Sequence, residues 1–283
     1  MFGIFSFLIN TNIFIAVAAV LFTLETQVQL GMKPHLHPYV FIIFFATLCE
    51  YNIHRFLSIL NNKNALESEK HSWVKNYLKP FYVLVVLSII GFAIAVLLAK
   101  KTVIIALIPI AIVTLFYSLP LKGKGNVFRL RQISILKIFL IAIVWSASTI
   151  VLPIIQTEIK YDYIHVFIML VERFLFVFAI TIPFDIRDVE TDRITGLKTI
   201  PILVGEKKAI LLSNAALIGF MLIAVIHYSV FTMSYLIPAF LISGLSTYYL
   251  INNEKAKNNS YYHYGLLDGT MLLQGLLVCS SYY

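Results

Sequence analysis

Three aspartates, Asp185, Asp188 and Asp192, stand at i, i+3 and i+7 within PFDIRDVETDRITGLKTIPILVG, residues 183–205. On a helix that spacing places all three on one face. Like charges on one face repel, so a helix built only for packing would not favour them. A divalent cation removes the conflict. Mg²⁺ takes oxygen ligands, keeps several waters, and is commonly held by one or two carboxylates together with substrate phosphates. A solvated loop of mixed charge fits the same residues, because Arg187, Arg193 and Lys198 are at hand to balance the carboxylates. Gly196 and Pro201 break the helix, with Lys198 and Thr199 in the break.

A second polar patch, TLCEYNIHRF at residues 47–56, interrupts an apolar run. Tyr51, His54, Arg55 and Ser58 follow i, i+3, i+4, i+7 and share a helical face. Ionisable side chains inside a span are costly and mark a protein interior or a watery cavity. The Arg55 guanidinium suits a bidentate phosphate contact, so His54 and Arg55 together could hold an anion without metal. Ion pairs of Glu50 with Arg55 or His54, or of Arg55 with Asp268, are the alternative. Glu172 and Arg173 sit mid-span, about 100° apart as neighbours on a helix, and so are expected to find partners on other helices. Glu172 could serve as a base or as packing glue. Asp268 lies about two turns into the last span, in YGLLDGTMLLQ, and is a cavity candidate. His165, His227 and Gln274 read as single polar residues with local partners, and their spacing suggests no metal site.

The elements that must position these residues are membrane helices. Of 283 residues 60% are hydrophobic and 13% charged, with a mean hydropathy of +0.87. In lipid every backbone polar group must be satisfied internally, which leaves helices or a closed barrel. The apolar runs lack period-two alternation, which excludes the barrel. Nine spans are predicted, at 4–24, 39–60, 80–99, 102–121, 132–155, 163–184, 209–229, 231–251 and 261–283. Cys49 and Cys279 both lie in apolar runs and read as reduced and buried. The first run lacks the basic n-region of a cleavable signal peptide. Fifteen Lys and Arg fall in the loops of one side and four in those of the other, which puts the N-terminus and the aspartates in the cytoplasm and the C-terminus outside. The net charge of +8 mostly follows from this asymmetry. No glycine-rich nucleotide loop and no nucleic-acid motif is present.

Residues 183–205 resemble the second aspartate-rich motif of the UbiA superfamily of intramembrane prenyltransferases. The matching positions are Asp185, Asp188, Asp192, Gly196, Thr199, Pro201, Leu203 and Gly205. FYSLPLKGKG, residues 116–125, is similar to the family's Y-S-x-P segment and its basic loop. The resemblance implies an all-α, polytopic bundle of about nine helices around a lateral cavity, built as one domain over residues 1–283. It implies Mg²⁺-dependent transfer of a prenyl group from a prenyl diphosphate to an acceptor, often aromatic, within the membrane. Asp185, Asp188 and Asp192 would be the metal and catalytic set. Lys122, Lys124 and Lys198 would contact phosphate, and Tyr117 would supply a wall or a hydrogen bond. His54, Arg55, Tyr51 and Asp268 complete the expected substrate site.

The family's first motif, N-D-x-x-D-x-x-x-D, departs here. With Arg55 aligned to the Arg that often follows its second Asp, Glu50 takes the Asn, and Tyr51, His54 and Ser58 take the three aspartates. A non-catalytic relative that binds an isoprenoid or lipid is therefore the alternative. A transporter fits less well, since nothing suggests inverted repeats.

Overall fold

The computed structural model describes residues 3–61, 74, 76–118, 121–122, 127–128, 136–157, 160–194 and 196–283. Its elements are mainly helices: α1 (Ile4–Asn10), α2 (Ile13–Gln29), α3 (Pro38–Asn61), α4 (Leu78–Leu98), α5 (Lys101–Ser118), α6 (Leu136–Thr157), α7 (Tyr163–Arg187), α8 (Val189–Ile194), α9 (Ile200–Val204), α10 (Glu206–Val230), α11 (Ile237–Asn252), α12 (Glu254–Lys257) and α13 (Asp268–Ser280). A π-turn, Tyr262–Leu267, leads into α13. A two-residue antiparallel pair, Leu121–Lys122 with Val127–Phe128, joins α5 to α6.

The protein is an all-helical, multi-pass integral membrane protein. Among the described residues five helices are long and apolar enough to cross a bilayer, or six if α1 and α2 form one broken span. The predicted count of nine is not reached on that criterion. The apolar stretches Pro38–Ile53 and Lys101–Phe116 are shorter, and the last span divides into the π-turn and the 13-residue α13. The first span is also interrupted. Asn12, at φ +60°, stands between α1 and α2, which meet at 79°.

Helices α2, α7, α10, α11 and α13 enclose the main core, where Phe22, Phe176, Phe220 and Phe240 are buried. A second cluster joins α2, α3, α4, α5 and α6 through Tyr39, Ile42, Ala95 and Leu152. α4 turns Val83, Val86, Leu87, Ile90 and Ile94 outward, as a helix facing lipid does. Between α13 and α2 the backbones meet closely at Gly275. A Cβ there would stand 2.6 Å from Leu21 Cβ and 2.9 Å from its carbonyl carbon. Small residues at such crossings let membrane helices pack by van der Waals contact, where no hydrophobic drive separates protein from lipid.

Candidate functional site

The three aspartates gather where α7 ends. Asp185 is the third-last residue of α7, Asp188 caps it, and Asp192 lies in α8. The Asp188 amide still reaches the Phe184 carbonyl, and the Asp192 amide reaches that of Asp188. The turn therefore continues the helical path and keeps the three carboxylates in one region, as their spacing implies. Gly196, at φ +75°, ends it, and α9 then starts at Ile200 with Pro201 in its first turn.

Each carboxylate has a different environment. Asp185 is 1% exposed. Lys137 Nζ, from the first turn of α6, donates to its Oδ1 at 2.7 Å. Asp185 Oδ2 is buried with no hydrogen-bond partner among the described residues. Asp188 is partly exposed and receives the guanidinium of its neighbour Arg187, at 2.8 Å to Oδ1 and 3.0 Å to Oδ2. That guanidinium lies 5.2 Å from the Phe184 ring and 5.0 Å from the Tyr264 ring, which ties the π-turn to this end of α7. Burial pushes the Asp192 carboxyl above its ordinary range. Lys137 draws it back, and Asp185 and Asp188 add to the rise. The five groups thus form one electrostatic unit.

The donors fit a hard divalent cation. The Asp185 oxygen is buried and unpartnered among the described residues, and so is the hydroxyl of Thr199 at the cap of α9. Both are oxygen ligands of the kind Mg²⁺ prefers. Among the described residues no three His, Cys, Asp or Glu side chains form a ready-made cage. That suits an ion that takes one or two carboxylates and completes its shell with water and phosphate.

The other predicted residues divide into three groups. Lys124 and the side chains of His54, Tyr117 and Lys122 lie outside the described residues. Lys198 is exposed in the link between α8 and α9, and Asp268 is buried at the first position of α13, just after the π-turn. Tyr51 and Arg55 both lie on α3 but serve different neighbours. Tyr51 and Glu50 line a cavity of about 230 Å³, together with Thr114 of α5 and Leu140, Ile141, Val144 and Trp145 of α6. Arg55 donates to the Asn10 carbonyl at the C-terminal end of α1, a favourable place for a cation. Asn52 beside it bonds Asn12 at 2.9 Å and the Thr11 carbonyl at 3.1 Å. This polar part of α3 therefore fastens the α1–α2 bend and also gives the cavity two side chains.

Lys137 is a site residue that the sequence reading did not assign. Its signal was a lysine inside the predicted span 132–155, near the end on the side of the aspartates. Glu172 and Arg173 behave as expected, with partners on other helices: Arg173 Nη2 donates to Glu25 Oε1 at 2.7 Å, and His227 Nδ1 lies 2.8 Å from Glu172 Oε1. His165, His227 and Gln274, expected as single polar residues with local partners, instead find their partners on other helices. His165 and His227 touch at 2.7 Å, and Gln274 Nε2 donates to the same Glu25 Oε1 at 3.0 Å, so all three belong to one buried network. They come together because α7, α10 and α13 surround α2.

The sequence profile of the UbiA prenyltransferase family matches residues 80–265. No curated protein sequence matches the chain. Among solved structures it is similar to a UbiA homolog from Archaeoglobus fulgidus, with a TM-score of 0.63 and 14% identity over 94% of this chain and 96% of that one. A structure of a UbiA homolog from the same organism bound to Cd²⁺ gives a TM-score of 0.63 at 13% identity, over 95% of each chain. An apo UbiA homolog from Aeropyrum pernix K1 gives 0.60 at 14%, again over 95% of each. At these identities the structural likeness is one of fold.

Proposed function

We propose that this chain, which belongs to the UbiA prenyltransferase family, transfers a prenyl group from a prenyl diphosphate to an acceptor within the membrane, as a single unit over residues 1–283 with its aspartates toward the cytoplasm. The observation that carries the reading is the gathering of Asp185, Asp188 and Asp192 with Lys137 and Arg187 at the end of α7, beside Asp185 Oδ2, a buried carboxylate oxygen that has no hydrogen-bond partner among the described residues.

Asp185, Asp188 and Asp192 would hold Mg²⁺, with the buried Thr199 hydroxyl a further candidate oxygen donor. The ion would neutralise charge developing on the departing diphosphate. The chain's own groups do the rest. Lys137 orients Asp185 by a charge-assisted bond to Oδ1. Arg187 fixes Asp188 and is itself held over the Phe184 and Tyr264 rings, so the carboxylate is positioned before substrate arrives. The cavity between α3, α5 and α6 is walled mainly by Leu140, Ile141, Val144 and Trp145. Such a wall suits an isoprenoid tail and keeps water from an allylic cation. The faces of Tyr51 and Trp145 offer that cation a favourable quadrupole.

The test uses the full chain in detergent, with binding and turnover of prenyl diphosphates of several chain lengths measured with and without Mg²⁺. Binding should need the metal. Asp188→Ala should lower turnover roughly 10²–10³-fold, the usual cost of removing one group that stabilises developing charge. Absence of binding at every chain length in the presence of Mg²⁺ overturns the proposal. If substrate binds but is never turned over, the non-catalytic reading, motivated by Tyr51, His54 and Ser58 in place of aspartates, takes its place.

A further inference from the structure

Far from the aspartates, α2, α7 and α10 bury a chain of titratable groups that the prenyl chemistry does not use. His165 stands near the start of α7 and Asp185 near its end, about 30 Å apart along the axis at 1.5 Å per residue. His165 Nε2 lies 2.8 Å from the Gln29 carbonyl oxygen, and His165 Nδ1 lies 2.7 Å from His227 Nε2. His227 Nδ1 lies 2.8 Å from Glu172 Oε1. The Tyr228 hydroxyl donates to Glu172 Oε2 at 3.0 Å and accepts from the Gln29 side-chain amide. His165, His227, Glu172 and Tyr228 are all buried.

Counting hydrogens fixes the charge of this group. A carbonyl only accepts, so His165 Nε2 carries hydrogen. If His165 is neutral, its Nδ1 is an acceptor and His227 Nε2 must donate to it. A neutral His227 then turns a bare Nδ1 toward Glu172 Oε1. Two lone pairs would face each other at 2.8 Å unless one further proton lies between them. That proton sits on Glu172, giving a neutral acid, or on His227, giving an imidazolium against a carboxylate. If it sits on His165 instead, each ring donates to the next group in line. The three arrangements contain the same number of protons and give the trio no net charge. Arg173 and Glu25 beside it cancel each other at 2.7 Å. Loss of the extra proton would leave one uncompensated anion in the membrane interior, which is strongly disfavoured.

We propose that His165, His227 and Glu172 form a proton-binding site, reached from the end of the bundle opposite the aspartates. The route is a cavity of about 180 Å³ that His165 lines together with Lys160, Tyr161, Asp162, Phe231 and Met233. Among the described residues lining it, Lys160 and Asp162 are the charged groups. Glu25 of α2, Arg173 of α7 and Tyr228 of α10 face the trio from within. Among the described residues the path stops at Tyr228. Beyond it stand the Gln29 amide and the Arg173 guanidinium, neither of which gives up a proton near neutral pH. The site is a proton store open to one side, and not a channel across the bundle.

The test compares the full chain, labelled with ¹⁵N-histidine in detergent, with its Glu172→Gln variant. The amide introduced by that substitution can donate to His227 Nδ1 and accept from Tyr228, so the variant should fold with wild-type thermal stability, while Glu172→Ala should not. Near neutral pH the wild type should show either a carboxylic acid carbonyl band that Glu172→Gln removes, or an imidazolium ¹⁵N signature that becomes a neutral ring in the variant. A wild type with neither signal at pH 7 overturns the proposal. Met233→Trp, which fills the cavity, should slow deuterium exchange of that proton several-fold. An unchanged exchange rate overturns the entry route.

Discussion

Arg173→Met tests whether the polar network holds the bundle together. Arg173 is 2% exposed and Glu25 is 0% exposed. The guanidinium donates to Glu25 Oε1 and Thr149 Oγ1, each at 2.7 Å, to the Phe22 carbonyl at 3.0 Å and to Gln29 Oε1 at 3.2 Å. It also lies 4.4 Å from the Phe22 ring. Methionine keeps much of the length and apolar bulk but none of the donors. The largest loss is the counter-charge of Glu25, since removing one partner of a buried ion pair costs about 3–5 kcal/mol. The stranded acceptors cost about 1–3 kcal/mol each in isolation. They share one donor group, however, so the effects will not add. The expected destabilisation is therefore about 4 kcal/mol, near the middle of the range for a broken buried pair.

The sign of a second substitution separates charge from shape. In the Arg173→Met background, Glu25→Gln removes the unpaired anion and keeps an oxygen for Gln274. It should restore about 2 kcal/mol, a large part of the ion-pair cost. The measurement is equilibrium unfolding of the full chain in mixed micelles as the fraction of denaturing detergent rises. The reasoning is refuted if Arg173→Met lies within about 1 kcal/mol of wild type, the scale of an ordinary substitution, or if the double variant is less stable than Arg173→Met alone.

Two further outcomes follow from the same packing. Lys137→Met should tighten Mg²⁺ binding, measured by calorimetry, because it frees Asp185 Oδ1 from a competing cation at 2.7 Å; equal or weaker binding would show that Lys137 and the metal do not compete for Asp185. Gly275→Val should cost about 1–3 kcal/mol by overpacking the α2–α13 crossing, whereas Gly269→Ala, whose nearest neighbour is the tip of Phe14 at 3.7 Å, should unfold as wild type does.

The helices were legible in the sequence because lipid leaves an apolar run no other way to satisfy its backbone. The aspartate face was legible because its residues are local: seven positions along one helical path set their relation. The partners of those residues were not. Lys137 and Asp185 are 48 positions apart, and Arg173 and Glu25 are 148 apart. Such pairs depend on how each helix is rotated about its axis. A soluble helix shows that rotation in its apolar stripe, but a span that is apolar all round hides it. Glu25 was also lost to a boundary, because the predicted first span ends at residue 24 while α2 continues to Gln29. The cluster ETQVQ at residues 25–29 held the missing signal. Four polar side chains continue a span there, and all are buried.

Charge balance explains how one aspartate motif could serve where α3 supplies no aspartate. Asp185, Asp188 and Asp192 bring three negative charges, and Lys137 and Arg187 bring two positive ones, leaving a net charge of −1. A single divalent cation reverses that sign and presents a positive site to a diphosphate. A second dication would add charge with no carboxylate from Tyr51 or Ser58 to hold it. α3 instead gives Arg55 and Asn52 to the α1–α2 bend and Glu50 and Tyr51 to the cavity wall. On the proposed reading, this helix shapes a cavity and supplies no aspartate to a metal. Discrimination among substrates then rests on Tyr51, Trp145 and their neighbours, while the grip on phosphate rests on the end of α7.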